Sequence, residues 1–260
     1  MTWRQMVPTA VTLAAMLAGF FSILVTLEGM DQSDPTMFHR WAAQLIMLAM
    51  ILDGIDGNLA RRLKGSSELG AELDTYVDMT AFGIAPALLI YVVSLQTSPV
   101  WRVLMTAAIV MSGVVRLARF KASDPHRGQM GYSGLPITAS AGWVAMFVFI
   151  SSTKPVERFS LNQGPVAALF LTGVMVMIIL QVSTIRYPKP TKRMAIFVPC
   201  VALVILLFVP YTSVAVKAAF LSIVVGLGYV LFGPVLYRYI LPSSRRRAQA
   251  EKAARLSATE

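Results

Sequence analysis

Histidine and cysteine are nearly missing from this chain, with two of the first and one of the second in 260 residues. A lone Cys200 permits no intrachain disulfide, and in an apolar block it reads as a small buried hydrophobe. Neither the cysteine nor the histidines are placed to make a soft metal site. Charge is scarce as well. Only 14% of residues are charged, where a soluble domain carries about 25%. Acidic side chains number 13 in all, so any cluster of them needs a physical reason.

What is abundant is apolar. Hydrophobic residues make up 56% of the chain and mean hydropathy is +0.66. They fall into about eight blocks, near 7–27, 39–60, 73–94, 100–120, 135–152, 164–182, 194–210 and 214–237. Each is close to the ~20 residues that cross a bilayer as a helix. The expected fold is therefore all-α, a polytopic membrane bundle. Arg4 ahead of Val7 to Leu27 has the look of a signal peptide, but the block is long and no small-residue cleavage pattern follows it, so it reads as a retained first span. Residues 1–242 form one membrane domain, and 243–260 form a basic tail of helical composition.

The net charge of +10 does not point to nucleic acid, because the basic residues lie between and after the apolar blocks. The first connection is acidic (Glu28, Asp31, Asp34). The second (Arg61, Arg62, Lys64), fourth (Arg116, Arg119, Lys121, Arg127) and sixth (Arg186, Lys189, Lys192, Arg193) are basic, as is the tail (Arg245, Arg246, Arg247, Lys252, Arg255). The fifth mixes Lys154 and Arg158 with Glu157. This alternation places both termini and the even loops in the cytoplasm. Anionic headgroups or an anionic substrate are the better partners for such charge.

Against this background stands Asp53-Gly-Ile-Asp56-Gly57-Asn-Leu-Ala60-Arg61, continuing to Gly70, Asp74 and Asp78. On a helix, Asp53, Asp56, Gly57, Ala60 and Arg61 fall within an arc of roughly 140°. Gly70, Asp74 and Asp78 recur every four residues and share one face of the next helix. A carboxylate at mid-membrane costs roughly 2.5–3.5 kcal/mol, and four together repel one another. Hard cations such as Mg²⁺ or Mn²⁺ neutralise such a set. Gly57, Ala60 and Gly70 leave room beside the acids, and Arg61 brings a cation to the same mouth, as a pyrophosphate needs. Acids, metal, arginine and clearance together describe displacement at phosphorus.

The spacing Asp-x2-Asp-Gly-x2-Ala-Arg-x8-Gly-x3-Asp-x3-Asp resembles the signature of the CDP-alcohol phosphotransferases, integral membrane enzymes that move a phosphatidyl group from CDP-diacylglycerol to a small alcohol. The resemblance implies a two-metal site in which Asp53, Asp56, Asp74 and Asp78 ligate Mg²⁺ or Mn²⁺. It implies Asp78 as the base that deprotonates the acceptor, and Gly57, Arg61 and Ser67 as contacts of the CDP moiety, with Ala60 and Gly70 giving clearance. Thr12 and Gly19 match positions of the first span.

Later stretches resemble one branch, the membrane-type phosphatidylserine synthases: Phe82-Gly83-Ile84-Ala85-Pro86-Ala87, Arg116-Leu-Ala-Arg119-Phe120, Gly134-Leu135-Pro136 and Val182-Ser183-Thr-Ile-Arg186-Tyr187-Pro188. The likeness runs in order through about residue 190 and implies L-serine as acceptor. Arg116 and Arg119, three apart on one helix face, would hold the acceptor's carboxylate or a lipid phosphate, or serve as positive-inside anchors. Departures fall at Pro8-Thr9, Ala15, Lys121 and Thr75-Tyr76-Val77, none of them a metal position. The resemblance also implies a homodimer, and the expected location is a bacterial-type plasma membrane with the site on its cytoplasmic face. Other acceptors (glycerol 3-phosphate, inositol phosphate, choline) fit the same chemistry. From a different class, a divalent-metal transporter would also use intramembrane aspartates, distributed across the bilayer; a membrane scaffold would need none.

Overall fold

The structure is a computed structural model that describes residues 2–65, 67–94, 98–123, 132–153, 164–188, 194–210 and 212–257, with backbone alone for 123, 132, 194–197, 212 and from 239 onward. Arg127, Lys154, Glu157, Arg158, Lys189, Lys192 and Arg193, which contribute to the expected orientation, lie outside the described residues. So do the side chains of the basic tail.

The described chain is helical almost throughout: α1 (Trp3–Glu28), α2 (Thr36–Leu63), α3 (Glu68–Val77), a π-helical stretch (Asp78–Ile84), α4 (Ala85–Val93), α5 (Pro99–Ser123), α6 (Ile137–Ser151), α7 (Gly164–Val182), α8 (Met194–Ile205) and α9 (Thr212–Ser257). Each of the eight apolar blocks coincides with a helix or, for 73–94, with the continuous α3–π–α4 rod. Among the described residues, six of these are long and apolar enough to cross a membrane, and two apolar helices, Ile137–Ser151 and Val198–Phe208, are shorter. At 1.5 Å per residue a helix the length of α6 reaches only about 22 Å, less than the ~30 Å hydrocarbon core. Its place explains its length: α6 is packed on α2, α7, α9 and the π stretch, with Ala141, Val144, Ala145, Val148 and Phe149 buried.

A two-residue antiparallel ladder joins β1 (Tyr132–Ser133) to β2 (Arg186–Tyr187). Apolar periodicity did not announce it, because two residues show no period. The ladder ties the segment before α6 to the segment after α7. Gly134 follows at φ +79, and its N–H donates to the Ile185 carbonyl at 2.8 Å. A Cβ there would fall onto the Gln181 carbonyl oxygen, so both the backbone angle and the space demand glycine.

α1 and α2 pack closely through small residues, with Ala15, Ala18, Ala42, Ala43 and Ala49 buried. Without water to drive association, transmembrane helices rely on such close approach and on interhelical hydrogen bonds of about 0.6 kcal/mol each. Ser22 Oγ donates one to the Ala42 carbonyl at 2.9 Å. Outward, α1, α5, α7 and α9 carry exposed Leu17, Phe21, Trp101, Leu104, Ile179, Leu231 and Phe232. That is the face a bilayer covers, and the chain is an integral membrane protein.

Candidate active site

α2 ends at Lys64, which takes the left-handed conformation (φ 51) with its N–H on the carbonyls of Ala60 and Arg61. Gly65 N–H closes the cap on the Ala60 carbonyl at 3.0 Å. A Cβ on Gly65 would strike the Arg4 carbonyl oxygen, so this turn is pressed against the first turn of α1. Ser67 then starts α3: its Oγ accepts the Gly70 N–H at 3.0 Å, and Glu68 adds an acid to the first turn. The result is a tight hairpin that sets the carboxylates of α2 against those of α3.

Oxygens of Asp53, Asp56 and Asp74 all lie within 4.8 Å of one another. Asp78 joins them on the wall of one cavity of about 190 Å³, together with Gly57, Arg61 and Arg116. Gly54, Leu117, Phe120 and Pro136-Ile137-Thr138 at the start of α6 complete that wall. Three carboxylate oxygens at such separation, without histidine or thiolate, form a hard donor set that fits Mg²⁺ or Mn²⁺. Asp53 lies in the field of Asp78, Asp74 and Asp56 together. The cationic groups on the wall are the Arg61 and Arg116 guanidiniums, too few to neutralise four acids and an anionic ligand.

The other residues singled out in the sequence are placed as follows. Thr12 stands behind Asp56: its Oγ1 donates to Asp56 Oδ2 at 2.5 Å in a buried contact, and Asp56 itself is 5% exposed. Gly57 faces open space, with only Arg61 Nη1 within 4 Å of where a Cβ would be. Ala60, Ser67 and Gly70 belong to the hairpin and are not on the cavity wall. Arg61 Nη2 donates to Asn58 Oδ1 at 2.8 Å. Arg116 and Arg119 part company. Arg116 is 6% exposed and lines the cavity, whereas Arg119 Nη1 donates to the carbonyls of Val182 and Ser183 at 2.6 and 3.2 Å, closing the end of α7. Lys121 pairs with Glu72 at 2.5 Å on the surface, strapping α5 to α3.

Three features were not foreseen from the sequence. Thr138 and Ile137 line the cavity beside Pro136. Asp78 opens a π-helical stretch, in which the Ala85 N–H reaches back to the Thr80 carbonyl. Pro86 explains it: with no N–H to give Phe82, and a ring that crowds that carbonyl, it favours a wider turn, a form common at functional sites. Gln181, 1% exposed, accepts from Ser112 Oγ at 2.6 Å and donates to Ser140 Oγ, joining α5, α6 and α7. An amide in the apolar run of α7 was the available signal.

The fold and cavity define a class: a polytopic membrane helix bundle whose acidic cavity carries a donor set able to hold a divalent cation, with two arginines on the same wall. Residues 5–179 match the family model described as CDP-alcohol phosphatidyltransferase. The chain belongs to that family. It is 30% identical over 203 residues to a CDP-diacylglycerol--serine O-phosphatidyltransferase of Helicobacter pylori, covering 77% of this chain and 81% of the relative. A protein of that name from Saccharomyces cerevisiae is 33% identical over 141 residues, covering 52% and 50%. An archaetidylserine synthase of Methanothermobacter thermautotrophicus is 28% identical over 185 residues, covering 70% and 69%.

Proposed function

We propose that this chain transfers the phosphatidyl group of CDP-diacylglycerol to the hydroxyl of L-serine, giving phosphatidylserine and CMP. The observation that carries the reaction type is the one cavity lined by Asp53, Asp56, Asp74 and Asp78 together with Arg61 and Arg116. The relatives' names support serine as the acceptor.

Asp53, Asp56 and Asp74 would hold Mg²⁺ or Mn²⁺, with Asp78 completing a second position. When bound, such ions neutralise the pyrophosphate and stabilise charge on its oxygens as it is cleaved. Arg61 orients the pyrophosphate, and Gly57 leaves the lipid nucleotide room to approach the backbone. Asp78 takes the proton from the serine hydroxyl. That oxygen forms a bond to the diacylglycerol-bearing phosphorus, and the bond from this phosphorus to the bridging oxygen breaks, its electron pair leaving with CMP. Arg116 receives the serine carboxylate in a bidentate pair. The site opens to the cytoplasmic side of a bacterial-type plasma membrane, and the active species is a homodimer. All four acids share one cavity rather than tracing a path across the bilayer, which disfavours a metal transporter.

The test is to incubate the purified protein with CDP-diacylglycerol and Mn²⁺ or Mg²⁺, supplying serine, glycerol 3-phosphate, inositol phosphate and choline separately, and to follow CMP and the lipid formed. Serine-dependent CMP release is expected. Turnover with glycerol 3-phosphate and none with serine would refute the acceptor while leaving the displacement chemistry intact.

A further inference from the structure

Residues 180–188 lie just beyond the family-matched residues 5–179, and two parts of the acidic cavity's wall are tied to them. Arg119, three residues from Arg116 on α5, donates from Nη1 to the carbonyls of Val182 and Ser183. Immediately ahead of Pro136–Thr138, the N–H groups of Gly134 and Leu135 donate to the carbonyls of Ile185 and Leu180 at 2.8 and 3.0 Å. Arg116 and Pro136–Thr138 are both on the cavity wall. Whatever holds 180–188 in place therefore fixes this side of the cavity.

α9 holds it. Tyr229, Gly233 and Tyr237 recur every four residues and share one helix face. Tyr229 Oη donates to the Pro188 carbonyl at 2.9 Å. Its ring lies 5.6 Å from that of Tyr187, which is buried in one cluster with Leu135 and Met177. A Cβ on Gly233 would come within 3.0 Å of the Tyr187 ring. The Tyr237 hydroxyl accepts from Arg186 Nη1 at 3.4 Å.

We propose that Tyr229 and Gly233 are positioning residues for the acceptor. Through Tyr187 and Pro188 they set how Arg116 and Pro136–Thr138 stand beside the aspartates, and with that the affinity for serine. The inference rests on the reading above in which Arg116 receives the serine carboxylate, a bidentate pairing that tolerates little displacement. The nucleotide side is anchored elsewhere: Gly57 and Arg61 belong to α2, whose end is pressed on Arg4 through Gly65. A shift of the Tyr187 ring thus reaches the acceptor side of the cavity first.

The test measures kcat and the KM values for serine and CDP-diacylglycerol in the wild type, Gly233→Val, Tyr229→Phe and Gly228→Val. A Cβ at Gly228 would meet no atom within 4 Å, so Gly228→Val controls for a valine on α9 and is expected to keep the wild-type constants. Gly233→Val displaces the Tyr187 ring and is expected to raise the serine KM about tenfold, less than the loss a full 1 Å misplacement brings, with the CDP-diacylglycerol KM unchanged. Tyr229→Phe keeps the ring and loses only the bond to Pro188, so its serine KM is expected to rise about threefold, the scale of one hydrogen bond. An unchanged serine KM in folded Gly233→Val, or an equal rise in both KM values, would overturn the proposal and leave the reaction standing. If Gly233→Val does not fold, Tyr229→Phe decides: a wild-type serine KM there overturns it. No serine-dependent CMP release by the wild type would overturn the acceptor reading, and the proposal with it.

Discussion

Thr12 touches Asp56 and not the cavity, and that position gives it a defined task. Its single hydroxyl proton is shared between two acceptors, Asp56 Oδ2 at 2.5 Å and the Pro8 carbonyl, one turn back on α1, at 3.0 Å. The carboxylate is thereby held in one rotamer by a helix that contributes no acid of its own to the cavity. Outer partners of metal-holding carboxylates typically matter by 10–100-fold in metal affinity or activity. Thr12→Val is therefore expected to raise the Mn²⁺ concentration for half-maximal turnover about tenfold, with the serine KM little changed; a titration of activity against Mn²⁺ measures it. Ser67 makes the opposite case. Its oxygen is committed to the Gly70 N–H, so Ser67→Ala is expected to cost about 1 kcal/mol as a lost helix cap, read as a lower melting temperature in detergent. An unchanged KM for CDP-diacylglycerol would assign it to the hairpin, and a large KM increase would assign it to the nucleotide.

At the scale of elements, the site depends on two departures from regular helix: the pressed turn after α2 and the π-helical stretch after α3. The turn was partly legible. Ser67 ahead of an acidic residue is a recognisable helix start, and Arg61-Arg62-Leu-Lys64-Gly65 is a basic helix end followed by glycine. The π stretch was not, although Pro86 carried its cause. A wide turn and an ordinary one expose the same apolar residues, so periodicity does not separate them. Because each residue turns a helix by about 100°, one residue more or less in a turn redirects everything on one side of it relative to the other. Pro86→Ala restores an N–H to the Phe82 carbonyl and lets the stretch tighten, changing the aim of Asp78 relative to α4. Turnover is expected to fall by about tenfold or more, as misplacements near 1 Å do, while far-UV circular dichroism keeps its helical amplitude. Wild-type turnover in Pro86→Ala would show the π geometry to be dispensable.

Across the whole molecule, the carboxylate stripe and the apolar blocks could be read directly because they are local: four-residue spacing puts Asp74 and Asp78 on one face, and block length alone marks a membrane chain. What could not be read was the long-range arrangement. Arg116 and Arg119 share a helix face and a motif, yet one lines the cavity and the other reaches the end of α7, 63 residues away. The β1–β2 ladder and the Gln181 amide linking three helices likewise arise from segments far apart in the chain. The two share a consequence, since the ladder and the Gln181–Ser140 bond tie down the chain on either side of Pro136–Thr138 on the cavity wall. The family-matched core thus supplies the acids, and part of what ties down the wall beside them, Gln181 and β2, lies beyond it.

If the four carboxylates of one cavity carry out displacement at phosphorus, with Asp78 moving the proton, removing that base must stop the reaction without unfolding the site. The most direct measurement is serine-dependent CMP release by Asp78→Asn beside the wild type, under saturating Mn²⁺ and CDP-diacylglycerol. Asn is close in size and keeps an oxygen, but it cannot accept the hydroxyl proton. CMP release is expected to fall by at least about a hundredfold, within the ~10²–10⁴ that general-base catalysis contributes, in a protein whose melting temperature is retained. Undiminished CMP release by Asp78→Asn would contradict the assignment of that proton to Asp78 and, with it, the proposed chemistry of the cavity.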